Sequence, residues 1–259
     1  MSRTVKAAAV QFNISLGEIE PNLLHVRREL ARLAGEGVQL ALLPEMWATG
    51  FAYRQLNELA MQTDELVDEL AELSLKHGMV IVGSLPEPHE NKVYNTAYVL
   101  DRGVVTGKYR KIHLFSLMQE DRSFDGGDSW LLAQTSIGRV GVFICYDLRF
   151  PELARRLAVE GAEILVVPGE WPKPRQEHWR TLLRARAIEN QLFVVAANCC
   201  GMVGKLDFFG MSMIIDPKGE ILAEAGYETE SIVATLDFAA MSSWREQIPC
   251  FNDRKPACY

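Results

Sequence analysis

The sequence has no apolar run long enough to cross a bilayer. Its opening, MSRTVKAAAVQFN, starts basic but lacks the long apolar stretch and small-residue cleavage site of a secretory signal. A membrane role is therefore not expected. Positive charge is in the minority, with 27 Lys and Arg against 34 Asp and Glu and a net charge of −7. Clusters such as Lys108-Tyr109-Arg110-Lys111 are too short to reverse that balance, so nucleic acid is excluded as a partner. Cysteines are few and odd in number, five in 259 residues. Without a secretory signal, that points to free thiols in a reducing compartment, the cytoplasm. There is no GxxxxGK[ST] loop, no GxGxxG after the first strand, and no Cys or His spacing suited to zinc, so neither metal nor cofactor is expected. Linker-like and low-complexity tracts are also missing. Residues 1–259 read as one domain with a C-terminal extension from about 238, a tail that carries Trp244, Phe251 and Tyr259 and needs a surface to pack on.

What the sequence does contain is a series of short apolar runs between helical patterns. VKAAAVQFNI, LALLPE, MVIVGSL, VYNTAYVL, RVGVFICYD, EILVVPGE, LFVVAAN, FFGMSMIID and SIVATLDF read as buried strands. Helices are expected at about 20–36, 64–78, 150–160 and 175–190, the second ending at Gly78. LARLAGEGVQLALLPE and LARRLAVEGAEILVVPGE share one order of helix, glycine, strand and Pro-Glu or Pro-Gly-Glu ending. That is either two α/β halves with related wiring or the generic look of an α/β unit. If each half lays its helices on one sheet face, the other faces pack together, and the fold class is α/β, a four-layer α-β-β-α sandwich.

Chemistry concentrates where the run VGVFIC meets Tyr146, Asp147 and Arg149, with Pro151 placed to open a helix. A buried cysteine is ordinarily a small hydrophobe. Cys145, however, would project from a strand-to-helix turn, beside backbone N–H groups that favour a thiolate and a developing oxyanion. Of the histidines, His25, His77 and His89 fall on helix or loop surfaces by pattern, while His113 and His178 are open candidates for a Cys/His pair. Glu45 ends the apolar strand LALLPE, and desolvation there makes a carboxylate a usable base. Lys111 in GKYRKIHLF has the ordinary reading of a solvated lysine. Cys199-Cys200 suit neither a CxxC redox pair nor a metal site and read as core or pocket-wall thiols.

LLPE, YRKIHLF and VFICYDLRFPE, in that order, resemble the nitrilase superfamily of carbon–nitrogen hydrolases. AAVQFN, GSLPE, FDGGD, RARAIENQLFVVAAN and FFGMSMIIDPKGEIL extend the resemblance over nearly the whole chain. It implies the same four-layer fold and a catalytic set of Glu45 as general base, Lys111 as transition-state stabiliser and Cys145 as nucleophile. It also implies a second glutamate between the Lys and the Cys, for which Glu120 fits better than its neighbour Asp121. Within the superfamily the resemblance is to the omega-amidase branch, through LPEMWATGFA, HLFSLMQED, EWPKPRQEHWRTLLRARAIENQ and WREQIPCFNDRK. The run NCCGMVGKLDFFGMS departs from the more usual one after that strand. The implied substrate is a short dicarboxylic monoamide such as 2-oxoglutaramate or 2-oxosuccinamate. A carbamoyl-amide hydrolase or a nitrilase would keep the same three residues, whereas a non-catalytic binding protein would have no reason to. The substrate-binding expectations are the Tyr146 backbone N–H at the oxyanion and Arg149 at the distal carboxylate. Arg149 would act either directly or by neutralising an acidic loop around Glu120 and Glu170, its ordinary alternative being an anchor to Asp147 or a carbonyl. The family resemblance also implies a homodimer.

Overall fold

The computed structural model describes residues 3–258, so Tyr259 of the tail lies outside the described residues, as do Met1 and Ser2. The first half lays down β1 (Thr4–Gln11), α1 (Ile19–Gly35), β2 (Leu40–Leu42), α2 (Leu56–Ala60), α3 (Thr63–His77), β3 (Val80–His89), β4 (Lys92–Asp101) and β5 (Val104–Arg110). The second half follows with β6 (Leu131–Thr135), β7 (Gly138–Val142), α4 (Pro151–Val159), β8 (Ile164–Gly169), α5 (Gln176–Asn190) and β9 (Phe193–Asn198). A hairpin of β10 (Cys200–Val203) and β11 (Leu206–Phe209) leads to β12 (Met213–Ile215), β13 (Ile221–Glu224), β14 (Glu230–Asp237) and α6 (Phe238–Gln247).

The strands form two six-stranded sheets, ordered β14-β1-β2-β3-β4-β5 and β6-β7-β8-β9-β12-β13. Read position by position, the two sheets carry the same run of pairings: antiparallel, parallel, parallel, antiparallel, antiparallel. Of the two readings the sequence left open, the strand pairings favour related wiring of the two halves. The last strand of the first sheet comes from the end of the chain, with β14 paired to β1 from Thr4↔Asp237 to Gln11↔Glu230.

Strand periodicity explains the layers. In β1, Ala7 and Ala9 face the core shared by the two sheets, while Ala8 and Val10 face the core under α1 and α3. Leu40 and Leu42 alternate with Ala41 in the same way, as do Val80 and Val82 with Ile81. On α3, Leu66, Leu70 and Leu73 are buried, and the helix stops at Gly78 with φ 64°, a left-handed position that glycine reaches without penalty. The helices α4 and α5 cover the second sheet with Leu153, Leu157, Leu183 and Ala187, which completes the four layers.

Two expectations change, and a third is filled in. FFGMSMIID is not one strand, because Gly210 and Met211 take φ of 69° and 52° and pass the chain from the hairpin into the second sheet. The strand before the candidate nucleophile ends at Val142 rather than running into Cys145. The tail is largely helical, and its partner is its own chain. Arg245 donates to the Gln191 carbonyl, Gln191 donates back to the Ile248 carbonyl, and Phe251 lies between the Arg155 and Arg245 guanidiniums.

Candidate active site

Glu45, Cys145, Glu170 and Cys199 each follow the end of one of β2, β7, β8 and β9, the parallel strands at the centres of the two sheets. The carboxyl ends of parallel strands are where open α/β sheets gather ligand-binding groups. Lys111 arrives from the edge, one residue past β5, its N–H donating to the Asn95 carbonyl at 2.8 Å. Its neighbour Arg110 points the other way, into Glu87 of the GSLPE segment at 2.9 Å, which ties β3 to β5.

Glu45, Lys111 and Glu120 are each 1% exposed or less, so their charges must satisfy one another. Lys111 Nζ donates to Glu45 Oε1 at 2.9 Å and to both Glu120 oxygens at 2.7 and 2.8 Å. Burial alone would push this ammonium down, but the Glu120 and Glu45 carboxylates outweigh it and hold it well above the ordinary lysine value. Glu45 Oε2 accepts from the Glu170 N–H at 2.9 Å, and its Oε1 accepts also from Asn95 Nδ2 at 2.8 Å. Glu120 reaches the group because Gln119 takes φ 58°, folding the turn so that Glu120 Oε2 also accepts from the Phe115 N–H. Asp121 is exposed, so of the two neighbours it is Glu120 that reaches Lys111. Burial, then Glu45, raise Glu120 above the usual carboxylate range, with Lys111 opposing.

Cys145 opens a short 3-10 turn (Cys145–Arg149) with φ 46°, a strained conformation for a residue with a Cβ, and Pro151 then starts α4. The surroundings of the thiol favour its protonated form over the thiolate that the turn's backbone N–H groups would favour, which agrees with the expectation of a general base. Burial and the charge of Glu45 push it well above the ordinary cysteine value, and Lys111 only partly opposes them. Asp147 holds the turn in place. One of its oxygens accepts from Tyr109 Oη at 2.7 Å and the Ile144 N–H at 2.9 Å, and the other from the His113 N–H at 2.9 Å, with His113 Nδ1 at 2.7 Å. Tyr109, Lys111 and His113 lie along one short segment at the end of β5, so the same backbone presents Lys111 to the acids and clamps the cysteine turn.

A narrow cleft lined by Cys145, Tyr146, Arg149, Glu170, Trp171 and Arg175 opens beside the thiol. Arg149 does not pair with Asp147, whose oxygens are already occupied. It lies over the Trp171 ring at 4.8 Å and places Nη2 3.2 Å from His178 Nδ1. Nor is there a shared acidic loop around Glu120 and Glu170: the two come from different elements, and among the described residues Glu170 forms no ion pair with Arg149. His113, stacked on Phe150 at 3.6 Å, joins the cysteine turn through Asp147 rather than pairing with the thiol. His25 is half-buried against Phe12, not on the surface. Cys199 and Cys200 are buried and free. Among the described residues no group of three or more His, Cys, Asp and Glu side chains is arranged to hold a metal ion.

Two residues of the site were not singled out from the sequence, Asn95 and Arg175, and Asp147 was named there without its role of holding the cysteine turn. Asn95 carried a usable signal, since a polar residue inside the apolar run VYNTAYVL needs a buried partner. Arg175, whose guanidinium lies over Phe115 at 5.2 Å, carried none.

This fold, with an acid, an ammonium and a thiol gathered at its central strand ends, is that of a defined class of hydrolases. The carbon-nitrogen hydrolase family profile matches residues 6–246, and the chain belongs to that family. It is 37% identical over 255 residues to the 2-oxoglutaramate amidase of Bacillus subtilis, covering 97% of this chain and 98% of that one. The structure of Saccharomyces cerevisiae Nit3, a member of branch 10 of the nitrilase superfamily, superposes with a TM-score of 0.89 at 30% identity over 96% of both chains. A Glu-to-Gln mutant of the amidase from Nesterenkonia sp. AN1, with the acetamide moiety of fluoroacetamide covalently added at its active-site cysteine, has a TM-score of 0.88 at 28% identity, covering 99% of this chain and 95% of that one.

Proposed function

We propose that the protein is an omega-amidase, hydrolysing the terminal amide of short dicarboxylic monoamides of the 2-oxoglutaramate type. The observation that carries the chemistry is the Lys111 ammonium shared by Glu45 and Glu120 at the buried Cys145, whose thiol burial and Glu45 push above the ordinary cysteine value. Such a thiol needs a base before it can attack. In the proposed cycle Glu45 takes the Cys145 proton as sulfur adds to the amide carbonyl. Lys111 and the Tyr146 N–H stabilise the tetrahedral oxyanion. Glu45 then returns the proton to the departing nitrogen, ammonia leaves, and water activated by Glu45 hydrolyses the thioester to the carboxylate. Glu120 keeps Lys111 charged and aimed. No cofactor or metal enters this cycle.

Substrate choice rests on the cleft beside Cys145, where the half-buried guanidiniums of Arg149 and Arg175 offer positive charge in a molecule of net charge −7. The relative in Bacillus subtilis, a 2-oxoglutaramate amidase, supports the same substrate class. An ammonia-release panel tests it. Succinamate and 2-oxoglutaramate should exceed butyramide in kcat/KM, with nitriles poor; a lead for butyramide rules out carboxylate recognition and leaves amidase chemistry alone.

The reading extends to one domain spanning the chain and to a cytoplasmic homodimer. The free, exposed Cys250 and Cys258 suit a reducing compartment. The tail does not itself argue for a dimer, since it packs on its own chain, but Val159 on α4 and Ile188 on α5 are exposed apolar residues. Light scattering should give twice the chain mass at micromolar protein; a monomer mass would overturn the assembly.

A further inference from the structure

Glu170 is the carboxyl of the site without a cation. Its backbone N–H serves Glu45, yet among the described residues its side chain has no hydrogen-bond or ion-pair partner, and Oε1 is fully buried. A Cβ placed on Gly50 would lie 3.4 Å from that oxygen, so the backbone there closes one side. Glu170 stands where two hollows meet. One is the narrow cleft at Cys145, and the other is a cavity of about 180 Å³ bounded by Leu16, Phe51, Val203 and Phe208.

The charges around it settle what form it takes. Glu45 beyond β2 and Glu120 in its turn share the single ammonium of Lys111. Cys145 on its turn and Cys199 beyond β9 are protonated thiols. Arg149 and Arg175 line the cleft, turned to the faces of Trp171 and Phe115, and Tyr53 and Lys205 line the cavity. An ionised Glu170 would be a third carboxylate on one ammonium. Burial and then Glu45 hold it well above the usual carboxylate range, against the pull of Lys111.

We propose that Glu170 contacts the substrate as a neutral carboxylic acid, its O–H donating to an oxygen at the carboxylate-bearing end of the amide while Arg149 and Arg175 supply the charge. This rests on the omega-amide reading above. A neutral carboxyl adds a donor without adding repulsion, whereas an ionised one would repel the same substrate.

The test is the ratio of kcat/KM for succinamate over butyramide, followed from neutral to alkaline pH on the full-length protein. Titration of Lys111 and Cys145 affects both substrates and cancels in the ratio. The ratio should fall with pH through a rise in KM for succinamate, approaching about tenfold per pH unit once Glu170 is mostly ionised. Glu170→Gln, which keeps a donor but cannot ionise, should flatten the ratio and remove a protonated-carboxyl stretch from the infrared spectrum. A succinamate preference that ignores pH in the wild type, or an equal slope in Glu170→Gln, overturns the role of Glu170 alone. Butyramide favoured at every pH overturns the substrate reading with it. The wild-type ratio needs no variant, so it decides the matter even if Glu170→Gln is unstable.

Discussion

At the scale of single residues, the site is a set of solutions to burial. A thiol held protonated, a lysine held charged and a strained cysteine turn are each costly alone, and each is stabilised by another member of the group. Removing the nucleophile should therefore cost chemistry and little structure. Cys145→Ala should lose roughly 10³-fold or more in kcat while its circular dichroism stays native, and wild type mixed briefly with a slow amide should carry an acyl group on Cys145 by mass spectrometry. An adduct on Cys199 or Cys200 would move the nucleophile. Lys111→Arg should be nearly as damaging as Lys111→Ala, because a planar fork cannot take the place of a compact ammonium that meets three carboxylate oxygens. Restoration of most activity by Arg would reduce Lys111 to a source of long-range field. Asp147→Asn faces an amide NH2 toward N–H donors and should loosen the cysteine turn. We expect a loss of roughly 10²-fold in kcat with KM little changed, the pattern of a misplaced nucleophile; a loss confined to KM would place Asp147 in substrate binding.

At the scale of elements, the legible features were those whose signal is local. The helices α1, α3, α4 and α5 announce themselves by apolar spacing, and Pro151 and Gly78 punctuate them at the positions their backbone chemistry favours. The strands β5 and β6 were missed because their burial is partial and their sequences are polar or mixed. Glu45, Lys111 and Cys145 were legible through their motifs, whereas Asn95 and Asp147 act through partners 50 and 38 positions away, a separation that no local pattern encodes. Gly141 on β7 is a further case of long-range constraint. A Cβ there would lie 2.8 Å from Leu165 Cδ2 on β8 and 3.2 Å from Leu157 Cδ1 on α4, so the glycine lets that helix approach the sheet. Gly141→Ala should lower stability by about 1–3 kcal/mol through overpacking, read as a lower denaturant midpoint at unchanged slope. An unchanged midpoint would mean that α4 has room this packing does not show.

At the scale of the whole molecule, the two halves share what holds them together. Each sheet turns one apolar face to the other, with Ala7, Ala9, Leu40 and Leu42 of the first in the same core as Val140, Val142, Val166 and Val195 of the second. The terminal strand β14 then crosses back to pair with β1 along its full length, so the first half lacks a complete sheet and neither half owns a complete core. Separating the halves would expose both inner faces and open the edge of the first sheet, which leaves no stable intermediate with one half folded. The expectation is one cooperative transition. Far-UV circular dichroism, which reports both halves, should coincide in denaturant with tryptophan fluorescence read on Trp47→Phe, in which Trp171 and Trp179 of the second half are the fully buried tryptophans left. The coincidence should hold at every protein concentration even if a dimer makes the midpoint concentration-dependent. Two resolved transitions, with the tryptophan signal leading or trailing, would show that the shared core binds the halves more weakly than each binds itself.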